Sequence, residues 1–206
     1  MSTPCLVIDC EQHSPEWFAA RTGRITMSRA KDARAKLKNG APSQAQLDYM
    51  AELAIERVSG SMVDRFVTPA MKRGTELEDE ARQLYEARTG AFVDEVGICI
   101  RDGFGGSPDG LVDADGLIEI KCPANPFKLA QLYIEHDPAE YMDQMQGLMW
   151  ITGRQWCDLV VYSPGLPLKV QRVPRDDAHI EALLADLHVF AARVDEYTAQ
   201  LRKAAA

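Results

Sequence analysis

Up to Gly90 the apolar positions recur mostly at helical intervals; beyond it they alternate or cluster as in strands. Ser14-Pro15-Glu16 reads as a capped start with proline in the first turn, leading through Trp17, Phe18 and Ala20 into a short helix that ends near Gly23. A second short helix is expected from near Ser28. Between Ser43 and about Val58, Leu47, Met50, Leu53, Ala54 and Val58 share one side of a helix, and Thr68-Pro69 opens another that closes near Gly90. Three central strands are expected at Phe92 to Arg101, Gly110 to Val112 and Leu117 to Lys121, the last following the turn-like Asp113-Ala114-Asp115-Gly116. Asp137-Pro138-Ala139-Glu140 has the form of an N-cap with proline behind it, so a helix should run on to about Trp150. Trp156 to Tyr162 and Leu168 to Val173 add two strands. A closing amphipathic helix carries Ile180, Leu183, Leu184, Leu187, Phe190, Val194, Tyr197 and Leu201 at intervals of three and four, a face for packing or oligomer formation.

At 206 residues and 46% hydrophobic, the chain can bury one sizeable core, and a single domain over 1–206 is expected. Its five cysteines are odd in number, scattered and free of any C-x-x-C pair, which argues against a disulfide framework or a zinc or iron–sulfur centre and suits a reducing cytoplasm. No apolar run approaches the roughly 20 residues that span a bilayer, and no basic segment with an apolar run opens the chain, so neither membrane insertion nor export is indicated.

The net charge of −8 argues against a polyanionic partner. One segment departs from that average: Arg21, Arg24, Arg29, Lys31, Arg34, Lys36 and Lys38 face a single acid, Asp32. Such a strip is either a solvated helix face or a local field that steers phosphate.

Candidate chemistry lies at Ser107-Pro108-Asp109-Gly110 and Glu119-Ile120-Lys121. Asp109 and Glu119 are equidistant from residue 114, at the centre of the expected turn, so a hairpin sets the two carboxylates nearly opposite each other. A cation between them, or a proton on one, relieves their repulsion, and hard oxygen ligands with room for water suit Mg²⁺ or Mn²⁺. Strand alternation sends Glu119 and Lys121 to one face and Ile118 and Ile120 to the other. A third acid, Glu78, lies roughly 60° from the apolar stripe of its helix (Met71, Leu77, Ala81, Leu84, Tyr85), where a carboxylate needs a partner. The alternative is a plain turn and an exposed strand whose acids never meet.

Several ordered motifs resemble the lambda-type phage exonucleases, or YqaJ-like viral recombinases, within the PD-(D/E)-x-K nuclease superfamily: Trp17-x-x-x-Arg21-x-Gly23-x-x-Thr26-x-Ser28, Gly74-x-x-x-Glu78, Ser107-Pro108-Asp109-Gly110, Glu119-Ile120-Lys121-Cys122-Pro123 and Tyr141-x-x-Gln144-x-Gln146. The resemblance implies an α/β (α+β) fold with a central mixed sheet flanked by helices around a restriction-endonuclease-like core. It implies a 5′→3′ exonuclease that consumes one strand of linear duplex DNA, releases mononucleotides and leaves 3′ tails for recombination by strand annealing. By the same resemblance Asp109, Glu119 and the carbonyl of Ile120 hold Mg²⁺, Glu78 completes or adjoins a two-ion site, Lys121 positions and activates water, and Gln144 faces substrate beside Tyr141. Arg21, Ser28 and Ser107 map onto a pocket for the 5′-terminal phosphate. Trp17, Thr26 and Tyr141 are candidate DNA contacts, with a core indole and a structural hydroxyl as the alternatives for the first two. A ring-shaped homotrimer, a single-strand annealing protein as partner, and a phage or prophage origin in a bacterial cytoplasm follow from the family. A sequence- or structure-specific endonuclease of the same superfamily is the competing reading, and an inactive module that binds DNA ends a further one. Asp102-Gly103-Phe104-Gly105-Gly106, just before Ser107, reads as a compact glycine-rich connection and gives Asp102 no role.

Overall fold

The computed structural model describes residues 4–63 and 68–205. β1 (Leu6–Ile8) leads to α1 (Pro15–Arg21), a 3-10 turn at Met27–Arg29, α2 (Ala30–Arg34), α3 (Gln44–Ser59) and α4 (Pro69–Thr89). Five short strands follow: β2 (Val93–Asp94), β3 (Ile98–Arg101), β4 (Phe104–Gly106), β5 (Gly110–Val112) and β6 (Gly116–Lys121). Then come α5 (Pro126–Ile134), a 3-10 turn at Ala139–Tyr141, α6 (Met142–Thr152), β7 (Trp156–Val161), β8 (Lys169–Pro174) and α7 (Asp177–Ala204). Capping chemistry sets several helix ends. Ser14, Ser43 and Thr68 each accept a bond from the backbone N–H three residues on, and Gly60 and Gly90 close α3 and α4 in the left-handed conformation.

The larger sheet has the order β2-β5-β6-β7-β8, with β6 and β7 parallel and every other pair antiparallel. It is the mixed sheet that the motifs imply, and both of its faces are covered. Alternation along β6 and β7 sends Leu117, Leu159 and Val161 into a cluster with Met145 and Leu148 of α6 and Leu183 and Leu187 of α7. Ile118, Ile120 and Val160 pack on the other side against Ala81 and Tyr85 of α4.

Four departures from the sequence pattern have physical causes. The expected strand from Phe92 to Arg101 is two strands in two sheets: β2 edges the larger sheet, while β3 is central to a second one, β1-β3-β4. Between them Gly97 passes so close under the N-terminal segment that an added Cβ would lie 2.5 Å from the carbonyl oxygen of Cys10. The segment read as a glycine-rich connection is the β3-β4 hairpin, turned by Asp102 and Gly103 at φ 49° and 85°. α5 was not expected, although Asn125 caps it through the N–H groups of Phe127 and Lys128 with Pro126 in its first turn. On α7 the buried stripe ends at Thr198, whose hydroxyl donates to the Val194 carbonyl at 2.7 Å, and Tyr197 is exposed.

A buried polar group ties α4 to the sheet. Asp158 on β7 accepts from Arg172 Nε and Nη2, both at 2.9 Å, and from the Tyr85 hydroxyl at 2.8 Å. Replacing Arg172 by leucine leaves the carboxylate buried with one donor from this set. Breaking a buried pair costs several kcal/mol, but the Arg172 side chain is 57% exposed and partly screened. The expected loss is about 2 kcal/mol, measured by urea unfolding; an unchanged midpoint would remove Arg172 from the account.

Candidate active site

The β5-β6 hairpin pairs Gly110 with Ile118, a register that continued by one residue sets Asp109 opposite Glu119. Three contacts from Arg154 Nη1, to the carbonyls of Val112, Asp113 and Gly116, pin the turn. Gly110 is needed because Val93 Cγ1 lies 2.1 Å from where its Cβ would stand. Asp109 Oδ2 accepts the Ile120 N–H at 2.6 Å, while Arg82 on α4 donates to the Asp109 carbonyl at 3.3 Å. Glu119 is 2% exposed. Its Oε1 accepts from Lys121 Nζ at 2.5 Å and from Gln144 Nε2 at 2.6 Å, and Gln144 Oε1 accepts in turn from Lys121 at 3.4 Å. Lys121 Nζ also lies 5.1 Å from the ring of Tyr141. Glu119 Oε2 is buried with no hydrogen-bond partner among the described residues.

Glu78, half-buried on α4, lines the same cleft. Burial, then the charge of Asp109, pushes its carboxyl up to about 7. Burial pushes Glu119 up to about 8 against the pull of Lys121, with Asp109 adding to the rise. Asp109 is raised as well, chiefly by burial. Burial alone would lower Lys121, but Glu119 and Asp109 outweigh it and hold the ammonium above its usual value. Three carboxyls resisting ionisation beside a held cation are a site that a further cation would relieve. Among the described residues no three His, Cys, Asp or Glu side chains form a ready metal cage. The donor chemistry still fits a hydrated divalent ion, which takes one or two carboxylates and keeps several waters, and the unpartnered Glu119 Oε2 is a free hard ligand.

A second cluster adjoins the first. At the end of α1, Arg21 sends Nη2 to Ser28 Oγ at 3.2 Å and Nη1 to Ser107 Oγ at 3.4 Å, with its guanidinium 4.1 Å from the centre of the Trp17 ring. Trp17 is buried, and its indole N–H meets Ser107 Oγ at 2.8 Å and the Gly97 carbonyl at 3.2 Å. Its place is therefore to hold Ser107; it is not an open stacking platform for a base. Thr26 is buried too, with its hydroxyl 3.3 Å from that of Ser28, so it orients Ser28 instead of meeting DNA. One cleft of about 580 Å³ joins Arg21, Ser28 and Ser107 to Glu78, Asp109, Glu119, Lys121 and Gln144.

Four cations of the basic strip are drawn into ion pairs on folding. Arg29 pairs with Asp32 and Glu52, Lys31 with Glu140, Arg34 with Asp143 and Asp186, and Lys36 with Asp186. Apart from Asp32 the paired acids are distant in sequence; Arg24 instead bonds the carbonyls of Ala20 and Gly103, and Arg21 reaches the cleft. Gln146, part of the last motif, is structural: its amide bonds the Pro174 carbonyl and the Asp176 N–H ahead of α7. The structure adds Gln12, His13, Asn125 and Lys128 to the lining. The Asn125-Pro126 cap signal could have brought in Asn125 and Lys128; Gln12 and His13 carry no comparable signal.

A model of the YqaJ-like viral recombinase domain matches residues 16–155. The chain belongs to this family. It is 41% identical to an alkaline exonuclease, LHK-Exo, from Laribacter hongkongensis, over 93% of this chain and 98% of that one, with a TM-score of 0.83. A structure of LHK-Exo in complex with dAMP is similar at 42% identity over the same shares, also with a TM-score of 0.83. A phage related exonuclease from Haemophilus somnus 129PT, at 18% identity over 89% and 96% and a TM-score of 0.67, shares the fold. No curated protein matches the chain significantly. With the family come the nuclease fold and the class: the chain is an exodeoxyribonuclease.

Proposed function

We propose that this family member is a Mg²⁺-dependent 5′→3′ exonuclease that digests one strand of linear duplex DNA from a 5′-phosphorylated end, releases mononucleotides and leaves 3′ tails for recombination by strand annealing. The observation that carries the direction is the continuity of the cleft. Ser107, bonded to Arg21, and Asp109, opposite Glu119, stand two residues apart on one tight segment, so an end held at the first is cut at the second. The resemblance extends the reading to a ring-shaped homotrimer, a single-strand annealing partner and a phage or prophage setting in a bacterial cytoplasm.

Asp109, Glu119 and the Ile120 carbonyl would hold Mg²⁺, or Mn²⁺ in its place, with Glu78 completing or adjoining a second ion. Such ions supply charge neutralisation at the scissile phosphate and a lowered pKa for bound water. Lys121, kept as an ammonium by Glu119 and Asp109, would donate a hydrogen bond to the attacking water and favour loss of that water's proton to solvent without accepting it. Gln144 bridges Glu119 and Lys121 and fixes the spacing between them. The planar fork of Arg21, with the Ser28 and Ser107 hydroxyls, fits the oxygens of a terminal phosphate.

Strand-specifically labelled linear duplex tests this directly. Mononucleotides should appear from the 5′-phosphorylated strand in Mg²⁺, 5′-hydroxyl ends should be consumed more slowly, and EDTA should stop the reaction. Digestion from 3′ ends would overturn the polarity, and cutting of closed circular duplex would point to the endonuclease reading.

A further inference from the structure

His13 has a positive φ, a backbone conformation uncommon for residues that carry a side chain. It is the third residue of a turn closed by the Ser14 N–H on the Glu11 carbonyl at 3.2 Å, and its φ is 67°. Glycine is the residue suited to a positive φ at that place in a turn. Nothing loose in the surroundings explains the angle. The preceding Gln12 is clamped by Nε2 bonds to the carbonyls of Val96 at 2.9 Å and Pro108 at 3.0 Å, so the turn is fixed to the segment that carries Asp109. The exposed His13 ring lies 4.9 Å from that of Trp17, the residue that holds Ser107, and lines the cleft that contains Arg21, Ser28, Ser107 and Asp109. Two other histidines are occupied elsewhere: His179 bonds Asp143 at 2.8 Å, and His188 packs edge-on against Phe104. His136 also has a positive φ, but it directly follows the end of α5, where left-handed residues commonly terminate helices.

An unfavourable backbone angle at a residue whose side chain opens into a site directs attention to what that side chain can bind there. We propose that His13 is a substrate-binding residue whose imidazole N–H donates a hydrogen bond to the phosphate of the 5′-terminal nucleotide, alongside Arg21, Ser28 and Ser107. The contact does not depend on titration, because a neutral imidazole also presents one N–H donor. It rests on the reading of that cluster as a reader of the 5′ end.

The experiment compares the full-length parent with His13→Gly and His13→Asn on 5′-phosphorylated and 5′-hydroxyl linear duplex in Mg²⁺, together with the melting temperature of each protein. His13→Gly relieves the turn, so it should melt at or above the parent's temperature, while KM on phosphorylated ends rises roughly five- to tenfold with little change in kcat. His13→Asn tolerates the left-handed turn and restores an N–H donor, so it should recover much of the loss. A parent KM in His13→Gly on both substrates would overturn the role, and a lowered melting temperature with that unchanged KM would identify His13 as packing for Trp17. If the parent itself showed no preference for the 5′-phosphate, the end-reading assignment would fail, separately from the result for His13.

Discussion

Glu119→Ala should lose exonuclease turnover by a factor on the order of 10³ or more while remaining folded. Glu119 is the most deeply buried of the three site acids, its Oε1 organises both Lys121 and Gln144, and its Oε2, with no partner among the described residues, is the oxygen proposed to bind the ion. One substitution therefore removes a proposed metal ligand and the hydrogen-bond anchor of the Lys121 amine. Stability should respond differently. Burial disfavours the ionised form of Glu119, pushing its carboxyl up to about 8, so removing the group relieves a desolvation cost that offsets the loss of Lys121's partner. The decisive second measurement is melting with and without Mg²⁺. The parent should be stabilised by the ion through linkage, and Glu119→Ala should not. Parent-rate digestion by the variant, or an equal Mg²⁺-dependent shift in both proteins, would remove Glu119 from the site.

Arg21→Ala should lower kcat/KM on 5′-phosphorylated ends by roughly 10- to 100-fold and leave 5′-hydroxyl ends nearly unaffected, as expected for a bidentate, charge-assisted contact. Ser28 and Ser107 hold separate guanidinium nitrogens, which presets the fork before substrate arrives, and Trp17 supports it beneath. Arg21→Lys should restore only part of the preference, because an ammonium has the charge without the planar geometry. Equal rates on both kinds of end in the parent would remove the pocket from the mechanism.

The residues that meet in the cleft were legible to very different degrees. Asp109 and Glu119 could be placed opposite each other because a hairpin's register follows from counting to its turn. Glu78 could be placed because helical phase follows from a fixed angle per residue. The basic strip was only partly legible, for an equally definite reason: Glu52, Glu140, Asp143 and Asp186, which pair with four of its cations, lie on other elements, and charge pairing across tens of residues leaves no local trace. Lys128 and Asn125 were missed with α5, even though its cap was readable. His13 could not have been found, because a backbone angle and a neighbouring cleft are not properties of a string.

By itself the sequence determined the helix ends, through serine, threonine and glycine caps; the alternation that puts Glu119 and Lys121 on one face of a strand; and the ordered motifs that mark the family. All of these are local chemistry, or periods set by the backbone. Tertiary structure alone decided that Phe92 to Arg101 divides between two sheets, that Trp17 and Thr26 hold the Arg21, Ser28 and Ser107 cluster from beneath, and that one oxygen of Glu119 is left without a partner among the described residues. It also decided that a histidine occupies a glycine's turn at the mouth of the cleft. Those outcomes depend on which distant segments pack together, and burial and desolvation acquire their magnitudes only after that packing is complete.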